Sequence, residues 1–287
     1  MGDSDSNTRY VLITGCSTGI GRACATHFAN RGWQVLAGVR READVPAGNG
    51  IRPLVLDITD SESIHYAAEQ IQTIVGNDGL AGLVNNAGTG VIGPVEMVSL
   101  ADWRRQFEIN LFGHIAVTQE ILPLLRDRVA ARGMGSARIV NIGSIAGRLT
   151  QPTGGPYCAS KFAMEALSDA LRMELRHQGI HVSLIEPGSI QSEIWRKGQD
   201  EASKIHQDRV QPDPAAEERY GWLIRGIKAS AARAAAGAIP AERVARVVQR
   251  CLMSKSPADK GARGHRRSSR PLLAFDPADA MVRRASS

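Results

Sequence analysis

Residues 10–21 read Tyr10-Val11-Leu12-Ile13-Thr14-Gly15-Cys16-Ser17-Thr18-Gly19-Ile20-Gly21. A β-prone run, Tyr10–Ile13, leads straight into a glycine-rich turn, and a helical pattern follows over Gly19–Asn30. A strand that turns tightly into a helix aims the first backbone N–H groups of that helix past the strand end, where the helix dipole favours an anion. Glycines permit the sharp turn and a close backbone approach to a pyrophosphate. The spacing Gly-x-x-x-Gly-x-Gly differs from the commoner Gly-x-Gly-x-x-Gly, but its place after a first strand makes a dinucleotide the expected ligand.

The rest of the chain repeats this strand-then-helix rhythm. Strands are predicted at Trp33–Val39, Ile51–Leu56, Leu80–Asn85, Arg138–Gly143, His181–Glu186 and, after a long gap, Pro271–Phe275. Helices are predicted at Ser61–Ile74, Ala101–Arg132, Tyr157–His177 and Ala241–Met253. Alternation of this kind implies a parallel sheet covered on both faces, with near-continuous apolar strands. Residues 191–239 break the rhythm with Trp195, Tyr220, Trp222 and an Ala-rich run. An insertion that long after a strand end reads as a substrate lid built from short helices. No Pro/Ser-rich linker divides the chain, so one domain over 1–287 is expected.

Composition excludes several classes. With 43% hydrophobic and 22% charged residues, the 287-residue chain is neither disordered, collagen-like nor coiled-coil. No apolar run approaches the ~18 residues of a membrane span, and the N-terminus is acidic and polar, unlike a signal peptide. A cytoplasmic location is expected. The net charge of +6 is concentrated at Arg250–Ser287, which holds nine Lys/Arg against three Asp/Glu. No aromatic residues interleave with the cluster at Arg263–Arg270, so this basic segment, about 254–287, reads as a solvated surface and no nucleic-acid partner is expected. Cys16, Cys24, Cys158 and Cys251 have no metal-ligand spacing; free thiols and no metal are expected.

Two positions bear on the cofactor. An NAD site usually places a carboxylate at the end of the second strand, but this chain reads Gly38-Val39-Arg40-Arg41. A guanidinium there suits a 2′-phosphate, so NADP(H) is preferred and NAD(H) remains possible. Asp57, closing the third strand, can accept a hydrogen bond from an adenine amino group or can cap the next helix.

Chemistry points to Tyr157-Cys158-Ala159-Ser160-Lys161. Residues four apart share a helix face, so the phenol and the ammonium point the same way. A nearby ammonium stabilises the phenolate and lowers a pKa that is otherwise ~10. Thirteen residues upstream, Ser144 ends the fifth strand, at the sheet edge where ligands bind in open α/β folds. Asn85-Asn86-Ala87-Gly88 ends the fourth strand at the same edge, and Asn110 sits inside a helix, where Asn is a mediocre former. No Gly-x-Ser-x-Gly elbow supports a hydrolase.

Together the Thr14–Gly21 turn, Asp57, Asn85–Gly88, Asn110, Ser144, Tyr157, Lys161 and Pro187-Gly188 resemble the short-chain dehydrogenase/reductase family in its single-domain branch, over about residues 9–190. The resemblance implies a doubly wound Rossmann-type sheet of seven mostly parallel strands, order 3-2-1-4-5-6-7, with helices on both faces. It implies Tyr157 as general acid/base and Ser144 as hydrogen-bond donor to the substrate oxygen. Lys161 would bind the nicotinamide ribose and depress the tyrosine pKa, and Asn110 would hold a water linked to that lysine. Gly15, Ser17, Thr18, Gly19, Ile20, Gly21, Arg40, Asp57, Ile58, Asn86, Ala87, Gly88, Pro187, Gly188, Ile190 and Ser192 would line the cofactor together with Tyr157 and Lys161. The family often has Thr where Ser192 stands, and a Ser hydroxyl can make the same bond.

The tail, Pro271–Phe275 followed by Asp276-Pro277-Ala278-Asp279-Ala280, resembles that of members acting on retinoids, steroids and other lipophilic alcohols, and Ile194, Trp195, Tyr220, Trp222, Leu223 and Ile227 would give the lid an apolar wall. A hydrophobic ketone or secondary alcohol is therefore the expected substrate, with Leu149, Pro152 and Trp195 joining Ser144 and Tyr157 around it. A reductase of 3-oxoacyl thioesters is the alternative within the class, and a non-catalytic dinucleotide-binding regulator is the alternative outside it. Association as a homodimer or homotetramer through the Ala101–Arg132 and Tyr157–His177 helices is expected.

Overall fold

The computed structural model of the protein describes residues 8–191, 193–254 and 281–283. Its strands are β1 (Tyr10–Thr14), β2 (Gln34–Val39), β3 (Ile51–Val55), β4 (Gly82–Asn85), β5 (Ala137–Ile142), β6 (Ile180–Glu186) and β7 (Met281–Arg283). They form one sheet in the order β3-β2-β1-β4-β5-β6-β7. The first six are parallel, and β7 runs antiparallel to β6. The expected last strand, Pro271–Phe275, lies outside the described residues, as does most of the basic C-terminal segment.

Period-two alternation divides the strands between two cores. Val11, Ile13, Val35 and Ala37 face a cluster completed by α1 (Gly19–Ala29) and α8 (Ala241–Met253). Leu12, Leu36, Leu54 and Leu83 face the opposite cluster, completed by α2 (Ser61–Val75), α4 (Gly113–Arg132) and α5 (Gly155–Leu175). Burial of each such aliphatic side chain contributes about 1.5–3 kcal/mol, so the two-sided sheet is the main source of stability. Arg138 on β5 is buried, and its guanidinium donates to the carbonyls of Leu252 (2.9 Å) and Ser254, which lets a strand residue hold the end of α8.

The segment expected as one helix, Ala101–Arg132, is divided. It consists of α3 (Leu100–Phe107), a π-helical turn Glu108–Phe112 and α4, and the N–H of Gly113 reaches back five residues to the carbonyl of Glu108. The insertion after β6 also differs from expectation. It folds into α6 (Glu193–Ile205), a π-turn His206–Val210 and α7 (Pro214–Ala236), whose 23 residues are not a short helix. A small core of Val210, Ala216 and Ile224, with Met97 and Tyr220 against it, joins α7 to the loop before α3.

Candidate active site

Between β1 and β4 the strand order reverses, and a crevice opens there beyond the carboxyl ends of the strands. It measures about 490 Å³, within the usual range for small-molecule sites. Gly15, Ser17, Thr18, Gly19 and Ile20 line one wall; Asn86, Ala87, Gly88 and Thr89 line the next. Gly15 and Gly19 have φ of +71° and +55°, a left-handed backbone that suits glycine. A Cβ on Gly21 would lie 2.2 Å from the Gly15 carbonyl oxygen, so Gly21 packs behind the turn instead of lining the crevice.

The two walls are tied by hydrogen bonds. Thr14 Oγ1 accepts from the N–H groups of Asn86 (2.9 Å) and Ala87 (3.0 Å), and Asn86 Nδ2 donates to the Thr14 carbonyl at 2.8 Å. The N-cap of α1, Thr18, makes no side-chain cap, and the first turn holds no acidic residue. That leaves an uncompensated positive helix end on the crevice wall, so the residues present fit a pyrophosphate.

At the other end, Gly38, Val39, Arg40, Asp57 and Ile58 line the crevice. Of the two adjacent arginines, Arg41 is bound to Asp44 through Nε (2.9 Å) and Nη2 (3.1 Å), whereas Arg40 is exposed on the rim. Arg40, and not Arg41, is thus the guanidinium that lines the crevice. Asp57 does not cap α2. Asp60 does, accepting from the N–H of Glu62 at 3.0 Å, while Asp57 Oδ1 accepts from the backbone and hydroxyl of Thr59.

Ser144, Tyr157, Lys161, Pro187, Gly188 and Ile190 share the same crevice. Tyr157 and Lys161 lie in the first two turns of α5, with the ammonium 5.9 Å from the centre of the phenol ring. Lys161 Nζ donates to the Ile142 carbonyl at 2.9 Å. Burial brings its pKa down to about 8, since a desolvated ammonium loses hydration that a single carbonyl replaces only in part. The expected depression of the tyrosine does not appear. Burial pushes the Tyr157 phenol above its ordinary value, and a hydrogen bond with Ser144 pulls in the other direction without overcoming it.

Asn110 is fully buried in the π-turn, outside the crevice wall. Its Oδ1 accepts from the Thr89 N–H (2.9 Å), and its Nδ2 donates to the Thr89 carbonyl (3.0 Å) and to Ser160 Oγ (3.2 Å). It therefore binds the Asn86–Thr89 loop to the start of α5. Leu149 is 55% exposed and Pro152 lies on the surface of the same loop; neither lines the crevice. Ser192 is outside the described residues, as is the side chain of Trp195.

Some contributors were not expected from the sequence. Arg105, Ile109 and Glu193 line the crevice as well. His114, fully buried one turn beyond Asn110, bonds through Nε2 to the Ala87 carbonyl at 2.8 Å. Burial, and secondarily the Lys161 charge, lower its pKa to about 3, so it is a neutral clamp on the crevice wall. Its four-residue spacing from Asn110 was the available signal.

A sequence profile described as short chain dehydrogenase matches residues 9–203. The chain belongs to the short-chain dehydrogenase/reductase family. It is an oxidoreductase acting on CH–OH groups and binding a nucleotide in a Rossmann-type fold. An NADPH-dependent 3-dehydrocapnine reductase of Ornithobacterium rhinotracheale is 42% identical over 194 residues, covering 66% of this chain and 68% of that protein. Human retinol dehydrogenase 5 is 40% identical over 195 residues; the match covers 66% of this chain and 59% of the longer relative. A crystal structure of a short-chain dehydrogenase from Streptomyces avermitilis superposes with a TM-score of 0.69 at 27% identity, covering 87% of this chain and 85% of that one. Among the described residues no helix is long and apolar enough to cross a membrane.

Proposed function

We propose that this oxidoreductase uses NADP(H) to interconvert a hydrophobic ketone and its secondary alcohol, with Tyr157 as the general acid/base. The observation that carries the reading is that Ser144, Tyr157 and Lys161 line one crevice with the glycine-rich turn and Arg40. The NADPH dependence in the name of one relative and the retinol in the name of another support the cofactor and the substrate class.

When bound, the nicotinamide supplies or takes the hydride. In reduction, Ser144 Oγ and the Tyr157 hydroxyl donate to the carbonyl oxygen, and Tyr157 passes its proton to the developing alkoxide. A phenol held above its ordinary pKa by burial remains protonated at neutral pH, as an acid must. Lys161 holds the ribose and places positive charge beside the phenol, while Asn110 fixes the Thr89 loop against α5. Helices α6 and α7 form the substrate lid. The exposed rings of Phe112 and Phe162, on the α3–α4 segment and α5, support association into a homodimer or homotetramer through those helices.

The test is NADPH consumption by the purified protein with a panel of steroids, retinoids, simple ketones and a 3-oxoacyl thioester, repeated with NADH. Turnover of a bulky apolar ketone is expected. Tyr157→Phe should abolish turnover while leaving NADPH affinity within a few-fold of wild type; retained activity would refute the role of the phenol.

A further inference from the structure

The substrate-side loop that carries Ser144 is held to the cofactor-side loop that follows β6, and a side-chain ion pair completes the joint. Ser144 leads into a 3-10 turn, Ile145–Gly147, and Arg148 closes it. Across from it, Glu186 is the last residue of β6, directly before Pro187-Gly188 on the crevice wall. The Glu186 carboxyl group is 1% exposed, and Arg148 Nε donates to its Oε1. The second carboxyl oxygen is buried and makes no hydrogen bond, so among the described residues Arg148 supplies the side-chain bond that this group has. Backbone contacts run in parallel. The N–H of Ile145 donates to the Pro187 carbonyl at 3.1 Å, and that of Gly143 to the Ile185 carbonyl at 2.8 Å.

A carboxylate placed at a strand end and sealed from water is costly unless a cation meets it. The cation comes from the loop whose first residue is Ser144, in surroundings where Glu165 and Asp169 also favour its charge. We propose that the Arg148–Glu186 pair is a positioning latch: it fixes Ser144 relative to the Pro187–Gly188 wall, and so sets the distance between the oxygen-polarising hydroxyl and the bound nicotinamide. Neither residue touches substrate or cofactor; both act through Ser144. The inference rests on the role given to Ser144 above.

The test is a double-mutant cycle of Arg148→Met, Glu186→Gln and the double variant, measured at saturating NADPH and ketone. Each single variant should lower kcat about tenfold or more while the Kd for NADPH, from fluorescence titration, stays within about threefold. The double variant should be no worse than the poorer single. Arg148→Lys, which keeps the charge, should recover a large part of the loss and serves if Arg148→Met folds poorly. A second readout separates positioning from mere support. Ser144 pulls the phenol down, so displacing it should move the midpoint of the alcohol-oxidation pH profile to higher pH, while Lys161 and Cys158, the other ionisable neighbours of Tyr157, are unaltered. Folded variants with kcat within twofold of wild type, losses that multiply in the double variant, or an unmoved pH profile would each overturn the latch. Inactive wild-type protein with every ketone would instead count against the proposed function.

Discussion

Lys161 is the residue through which pH should act most visibly. Its ammonium is buried and titrates at about 8, so reduction should hold level through neutral pH and fall as pH rises past that value. Oxidation should rise into the alkaline range, because it needs the phenolate of a tyrosine whose pKa burial raises. The same shift acts on stability. The unfolded lysine keeps its proton up to ~10.4, so between about 8 and that value the unfolded chain binds more protons and stability increases with pH. Thermal unfolding from pH 7 to 10 should show this increment, and Lys161→Met should remove it. Arg40 gives an independent expectation. Arg40→Ser should raise the KM for NADPH about 10–100-fold, the worth of a charge-assisted bond, and leave that for NADH within about threefold. Equal effects on both cofactors would show that Arg40 does not read the 2′-phosphate. The type and spacing of Arg40, Ser144, Tyr157 and Lys161 were legible in the sequence. The direction of the tyrosine shift was not, because the sequence shows which charges are near but not how much water has been removed. Nor was the pairing of the neighbouring Arg41, which depends on Asp44 folding back onto it.

At the scale of the element, the glycine-rich turn is defined as much by what its glycines exclude as by what they permit. A Cβ on Gly21 would meet the Gly15 oxygen at 2.2 Å and Asn86 Nδ2 at 2.5 Å, and both atoms belong to the joint between β1 and β4. Gly21→Ala should therefore cost about 1–3 kcal/mol of stability, as overpacking does, and weaken NADPH binding by loosening Asn86. Calorimetry and a fluorescence titration measure the two losses, and an alanine variant equal to wild type in both would sink the argument. The turn itself was legible because glycine, strand and helix signals coincide over 10–21. The π-turn at Glu108–Phe112 was not. One extra residue in a helical turn leaves the apolar pattern of 101–132 looking continuous, and only the oddity of Asn110 inside a helix marked the place. Thr153 is similar: its φ of +63° is unusual for a β-branched residue and lies four positions before Tyr157, yet nothing in the local sequence announces it.

For the whole molecule, the two-sided sheet and the lid differ in how they are held. The sheet carries two large cores, whereas α7 rests on a small cluster and on polar ties to the loop before α3. In those ties Glu96 takes a hydrogen bond from the Tyr220 hydroxyl and lies 3.6 Å from Arg219, while in the turn that precedes α7 Arg209 donates to the Met97 carbonyl at 3.1 Å. The parallel strands were legible because apolar runs buried on both faces leave a strong signal, whereas their order came with the family resemblance. The lid packing was not, because exposed ion pairs leave no periodic trace. Segments with few buried contacts open at a lower free energy than the global transition, so amides over 193–236 should exchange with deuterium well before those of β1, β4 and β5. Removing the Glu96 carboxylate deletes both of its ties at once, and an exposed cluster of this kind contributes only modestly because water screens it. Glu96→Ala should thus quicken exchange in α7 about fivefold without moving that of the sheet. With α6 and α7 as the lid, the same variant should raise the KM for a bulky ketone, leave NADPH affinity unchanged and spare small ketones that make no contact with α7. Faster exchange with unaltered kinetics would mean that α7 does not close over the substrate, and unaltered exchange would mean that its apolar cluster, and not Glu96, keeps it in place.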